Sequence, residues 1–97
     1  MIKTMKIVWD NSFKRAFRKL IKKNPEMSDR IINVLNLLSI DPLTHSLKSH
    51  KLTGSLEGLW SCSVAYDCRI IFTFAQDEES EESLIVLVDV GSHDEVY

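Results

Sequence analysis

The chain has 97 residues, 44% of them hydrophobic, and a formal charge of −2. That length suits one domain over 1–97 with a single two-layer core, and the balanced charge speaks against a general nucleic-acid binder. No apolar run is long enough to cross a bilayer, and the opening Met1-Ile2-Lys3-Thr4-Met5-Lys6 lacks the apolar core of a secretion signal, so a cytoplasmic protein is expected.

Met5–Trp9 alternates and is rich in β-formers, which predicts a short strand. Asp10 offers an N-cap. From Ser12, Phe13, Phe17, Leu20 and Ile21 fall at i, i+4, i+7 and i+8, the stripe of an amphipathic helix. Lys14, Arg15, Arg18, Lys19, Lys22 and Lys23 take the rest of its circumference, and those in the last turn suit the helix dipole. Asn24-Pro25-Glu26 reads as a stop and restart, with Pro25 in the first turn of a second helix that runs to about Ser39. Its stripe is Ile31, Leu35 and Leu38, widened by Ile32, Val34 and Leu37, so it is expected to be the more buried helix. Asp41-Pro42 ends it. Leu43–Lys51 has no period and reads as a loop.

Gly54-Ser55-Leu56-Glu57-Gly58 is a turn segment, with glycines where backbone freedom helps. Two β-type runs follow, Leu59–Ala65 and Arg69–Ala75, joined by Tyr66-Asp67-Cys68. The second puts Ile70, Phe72 and Phe74 on one face and Ile71 and Thr73 on the other. Gln76–Ser83 is an acidic loop, and Leu84–Val90 is a near-continuous apolar run expected to be a central strand covered on both faces. Gly91 breaks it, and Ser92–Tyr97 forms a charged tail. The expectation is an α+β fold, β-α-α-β-β-β, with a helical hairpin packed on a mainly antiparallel twisted sheet of four or so strands.

Cys62 and Cys68 form no CxxC motif and have no histidine at ligand spacing, so zinc is not expected, and a reducing compartment argues against a disulfide. They read as small buried residues. Charge is unevenly spread: residues 1–23 hold eight basic side chains against Asp10 alone, whereas Asp77–Glu82 holds five acids. One local face therefore suits phosphate.

If Leu84–Val90 pairs with Arg69–Ala75, the tail and the hairpin end share one surface. His50, Asp67, Arg69, His93 and Tyr97 then meet. RNA scission without a metal needs a base for the 2′-hydroxyl, a cation for the phosphorane and an acid for the leaving oxygen, and these are the residue types that supply them. Each has a plainer reading. His50 caps the hairpin entry, Asp67 bonds its own turn, Arg69 pairs with Asp67 or Asp89, His93 is solvated, Tyr97 plugs the sheet edge, and the basic helix face is simply wet. Only joint placement separates the two sets.

The segment HKLTGSLEGLWSCSVAYDCRIIFTF and the ending VDVGSHDEVY, in this order of elements, resemble the RelE/ParE superfamily of type II toxin–antitoxin toxins, nearest the RelE, HigB and YafQ branches. The resemblance spans nearly the whole chain. It implies ribosome-dependent, cofactor-free cleavage of mRNA and silencing by a cognate antitoxin. It matches His50 and Asp67 to the YafQ-type histidine and acid, His93 to the C-terminal histidine, Tyr97 to the terminal aromatic, and Arg69 to the arginine that opens this strand in RelE- and HigB-like members. On that basis Asp67 or His50 is the base, Arg69 stabilises the phosphate, His93 is the acid and Tyr97 orients or stacks a base. The basic residues of the first helix, Lys14, Arg15, Arg18, Lys19, Lys22 and Lys23, with Lys51, are expected to contact ribosomal RNA. Two positions depart from the YafQ pattern: Ser63 stands for a second histidine and Asp89 for an arginine. A gyrase-inhibiting toxin of the ParE type and a catalytically weakened antitoxin-binding module stay open as alternatives.

Overall fold

The computed structural model describes residues 4–97. Residues 1–3, which include Lys3 and the start of the segment read for a secretion signal, lie outside the described residues. In chain order the elements are β1 (Lys6–Trp9), α1 (Asn11–Lys23), α2 (Met27–Ile40), β2 (His50–Lys51), β3 (Trp60–Ala65), β4 (Cys68–Gln76), β5 (Ser83–Gly91) and α3 (His93–Val96), with single 3₁₀ turns at His45–Leu47 and Gly54–Leu56.

The five strands form one sheet in the order β1-β5-β4-β3-β2. Its β5–β4, β4–β3 and β3–β2 pairs are antiparallel, while β1 runs parallel to β5, with Ile7 opposite Ile85. A parallel pair needs a crossover, and the two helices belong to it. The sheet is therefore mixed, though mainly antiparallel as expected, and has five strands rather than about four. The expected element order lacks β2 and α3. Neither could show a period: β2 has two residues and α3 has four.

Alternation works as expected in β1, where Ile7 and Trp9 pack toward the core and Lys6 and Val8 face out. Asp10 is the N-cap of α1 by backbone conformation, but its carboxylate accepts from the Ser12 hydroxyl (3.0 Å) rather than from a helix amide. The same hydroxyl lies 2.7 Å from the Val88 carbonyl, tying the helix start to β5. Asn24 ends α1, donating its N–H to the Leu20 carbonyl at 2.8 Å. Pro25 and Glu26 form the turn, and α2 begins two residues later than Pro25 suggests.

The core joins Phe13 of α1 and Ile31, Val34, Leu35 and Leu38 of α2 to Ile70, Phe72, Ile85, Leu87 and Val90 of the sheet. With four buried residues against one, α2 is indeed the more buried helix. Its stripe is narrower than expected, because Ile32 and Leu37 are each 42% exposed. Phe74 shares the face of Phe72 but lies at its rim, edge-on to Trp60 and Phe72. Strand β5 is buried at Ile85, Leu87 and Val90 and only half-buried at Leu84, Val86 and Val88, so the helices cover one face and the other stays partly open. A β-bulge pairs Ile71 with Asp89 and Phe72 with Leu87, leaving Val88 unmatched. That extra residue lets Leu87 and Val90, three apart, both face the core.

Candidate functional site

The chain ends on the sheet face away from α1 and α2. Gly91 is the Cα partner of Arg69, and a Cβ added there would meet Glu95 Cβ and Oε1 at 3.2 Å and Val96 Cγ1 at 3.5 Å. The missing side chain is what lets α3 lie flat against β4 and β5. A capping box starts α3: Glu95 N–H donates to Ser92 Oγ (3.3 Å), and Ser92 N–H donates to Glu95 Oε1 (3.0 Å). The Ser92 N–H bond to the carboxylate, helped by the Ser92 hydroxyl, holds the Glu95 carboxyl below its usual pKa range. Val96 is buried, and the Tyr97 hydroxyl donates to Ser61 Oγ, the one fully buried polar side chain among the described residues. The His93 and Tyr97 rings meet edge to face, centroids 4.4 Å apart.

The hairpin end reaches the same place. Asp67 Oδ1 accepts the His93 backbone N–H at 3.2 Å, across 26 residues of chain. Across the sheet, His50 pairs with Ser61 and Ser63 with Arg69. Ser61 and Ser63 lie on one face of β3, roughly 7 Å apart along the strand. His50 and Arg69 thus occupy adjacent rows of one face, with Tyr97 anchored between them at Ser61. The Nδ1 atom of His50 is 3.1 Å from the Lys48 carbonyl, so it carries the proton in the neutral ring and Nε2 keeps its lone pair. Arg69 pairs with neither Asp67 nor Asp89. Its Nη1 donates to the carbonyls of Ala65 (2.8 Å), Tyr66 (3.2 Å) and Cys68 (3.3 Å) and to Ser63 Oγ (3.4 Å). Its Nη2 and Nε have no partner among the described residues, so one edge of the guanidinium staples the turn and the other is open to an anion.

The family described as bacterial toxin of type II toxin–antitoxin system, YafQ, matches residues 5–97. The chain belongs to the YafQ family. It sits within the RelE/ParE superfamily, as the resemblance in the sequence implied. Among solved structures, YafQ from E. coli strain BL21(DE3) is similar at 20% identity and a TM-score of 0.76, over 96% of this chain and 98% of that one. The toxin in the E. coli DinJ–YafQ toxin–antitoxin complex is similar at 20% identity and TM-score 0.74, over 97% and 98%. A YoeB/ParE toxin from Agrobacterium tumefaciens gives 19% and 0.74, over 92% and 99%. At these identities the likeness is one of fold. No curated protein matches the chain.

The basic set lies elsewhere in this YafQ-family chain. Lys14, Arg15, Arg18, Lys19, Lys22 and Lys23 are exposed on α1, which packs on the other face of the sheet from His50 and Arg69. Lys51 pairs with Trp60, its ammonium 5.7 Å from that ring, and so turns away from His50. Lys19 and Lys23 alone reach toward the tail, lining a cleft of about 200 Å³ with Asp89 and Glu95. Asp89 thus sits beside α1, past the end of β1, and not against the free edge of Arg69. Ser63 Oγ, in turn, is an acceptor for Arg69. The signals missed in the sequence were Ser92-x-x-Glu95, a capping-box pattern that announces α3, and Ser61, whose anchoring role has no local signal at all. Both cysteines are free and buried, and burial pushes the Cys62 thiol up to about 12, which leaves it protonated and inert. No cluster of three or more metal-ligating side chains occurs among the described residues.

Burial raises the Asp89 pKa, the Val90 N–H bond lowers it and nearby Glu95 raises it further. An acid whose folded pKa exceeds its unfolded value binds more protons folded than unfolded, so stability falls as pH rises from the ordinary value of 3.8 through the raised one. Asp89→Asn keeps an acceptor for Val90 without the charge. It is expected to melt higher than the parent at pH 7, with the gap closing below pH 3.8. Thermal melts across pH check this; a gap that widens on acidification would contradict it.

Proposed function

We propose that this YafQ-family toxin is a metal-free mRNA endonuclease that acts on the ribosome and is neutralised in the cytoplasm by a cognate antitoxin. The reading rests on one observation: the tail and the hairpin end lock together, with Asp67 holding the His93 backbone and Tyr97 anchored at Ser61 beside His50. In the reaction, the 2′-hydroxyl loses its proton and the 2′-oxygen bonds to phosphorus. The bond from phosphorus to the 5′-oxygen then breaks, and that oxygen takes a proton, leaving a 2′,3′-cyclic phosphate and a 5′-hydroxyl.

His50 Nε2, with its lone pair free, is the base. Asp67 spends one carboxylate oxygen on His93 and so positions rather than deprotonates. His93 is exposed, with Nδ1 3.8 Å from Asp94 Oδ1, and stands at the seam of tail and hairpin end where the acid is needed. The open edge of Arg69 takes the phosphate charge as it builds. Tyr97 orients the nucleotide between these groups. The basic α1 face, turned away from the chemistry, meets ribosomal RNA backbone, a contact that weakens with added salt. The DinJ–YafQ complexes support an antitoxin partner for this chain as well.

Purified protein added to a translation extract is expected to cut mRNA only when ribosomes are present, and His93→Ala to cut about a hundredfold more slowly. Inhibition of gyrase supercoiling with mRNA left intact would overturn the nuclease reading in favour of a ParE-like toxin, and an inert protein that still bound an antitoxin would mark a weakened enzyme.

A further inference from the structure

We propose that Tyr66 is a stacking platform for an unpaired RNA base next to the candidate cleavage site. The inference deepens the nuclease reading and rests on it for the identity of the ligand. Tyr66 is 98% exposed, and no other large hydrophobic side chain among the described residues exceeds 61%. Its ring forms none of the aromatic pairs found among those residues, which gather Trp9, Phe13 and Phe17, or Trp60, Phe72 and Phe74, or His93 and Tyr97. It fills no part of the fold.

The backbone beneath it is nonetheless fixed. Tyr66 and Asp67 form the turn between the Ala65–Cys68 pair, and neither has positive φ. Two-residue hairpins normally need positive φ to match the strand twist. Here a register shift between Ser63 and Ala65 absorbs the mismatch, and Arg69 Nη1 bonds the Ala65 and Tyr66 carbonyls from below. On the other side, Asp67 is tied to the tail through His93. A rigid turn thus holds an aromatic ring out into solvent, one residue from Asp67 and three from Arg69.

The surroundings favour a base over a protein anchor. Interface anchors are aromatic residues packed into desolvated pockets within an apolar patch. Tyr66 is followed by Asp67, which holds the His93 backbone N–H, and Asp67, His93 and Asp94 are all exposed and polar. Carboxylates repel phosphate but not the neutral face of a base, and stacking tolerates any base because each has a π-face. A nucleotide whose phosphate lies at Arg69 would place a neighbouring base within reach of this ring.

The test compares parent, Tyr66→Phe, Tyr66→Leu and Tyr66→Ala. Melting temperatures are expected to coincide, since the ring is in water. In ribosome-dependent cleavage, alanine and leucine are expected to raise KM about tenfold with kcat kept, and phenylalanine to stay within about twofold. Filter binding of a short single-stranded RNA is measured in parallel, with the same ranking expected. If the parent cuts nothing, the function fails while the RNA-binding ranking still judges Tyr66. Equal RNA binding by alanine and parent would overturn the inference, as would a variant that weakens only antitoxin binding, which would make Tyr66 a protein anchor.

Discussion

Arg69→Ala is expected to lower ribosome-dependent mRNA cleavage on the order of 10²–10³-fold, the usual loss when one preorganised donor to a developing anion is removed. The side chain has two duties that share one planar group. Its Nη1 edge binds the carbonyls of Ala65, Tyr66 and Cys68, and the remaining donors face outward. Alanine removes both. The structural share is small, because the turn is exposed and water replaces the lost donors at those carbonyls. Lysine separates the duties: a single ammonium reaches either the carbonyls or a phosphate, without the fork that serves both at once. Arg69→Lys is therefore expected to melt like the parent yet lose most of the cleavage. Melting curves and single-turnover cleavage of both variants decide the matter. A fully active Arg69→Lys, or an Arg69→Ala whose lost activity simply tracks unfolding, would remove Arg69 from the chemistry.

The same residue shows how far the sequence could be read. Arg69 was placed correctly on its strand by the alternation of Ile70 to Thr73, and the pairing of that strand with Leu84–Val90 follows from two apolar runs and a polar loop. Its partners were not legible. Opposite charges at Asp67 and Asp89 suggested an ion pair, whereas the guanidinium binds backbone carbonyls of the turn, which carry no sequence signature. The surroundings of Asp89 were not legible either: the bulge at Val88 breaks the count by twos from Leu87 and sets Asp89 opposite Ile71, at a sheet edge it shares with Lys19 and Lys23 of α1. Strand β2 escaped notice because two residues cannot show a period, although it is the element that sets His50 opposite Ser61. The parallel β1–β5 pair depends on where the helices return the chain, which only tertiary packing decides. By contrast, both long helices were plain, since each must bury an unbroken apolar stripe. The basic face of α1 was legible as a face, but its direction relative to the site was not, because helical periodicity says nothing about which side of the sheet a helix covers.

Phe13→Ala is expected to destabilise the protein by about 3–5 kcal/mol, a large share of the roughly 5–15 kcal/mol that holds a domain of this kind together. Phe13 is 0% exposed and joins the two layers. Trp9 of β1 meets it edge to face at 5.0 Å, and Phe17 stacks along the helix at 6.2 Å. Truncation leaves a cavity that neither neighbour can fill, since Trp9 is already engaged with Phe17 at 5.2 Å. Phe17 itself is only half-buried, so Phe17→Ala forfeits less contact and is expected to cost clearly less. Urea titrations should show the Phe13→Ala midpoint falling with an unchanged slope, and thermal melts should show a drop on the order of 20 °C. Equal costs at positions 13 and 17 would mean that α1 is held by its rim rather than by this contact. The consequence reaches the site through β5: α1 is fastened to that strand at Ser12 and Val88, and β5 runs on into Gly91 and the tail. A loosened helix is therefore expected to weaken the seat of α3 first, so that cleavage fails at temperatures where the sheet is still folded.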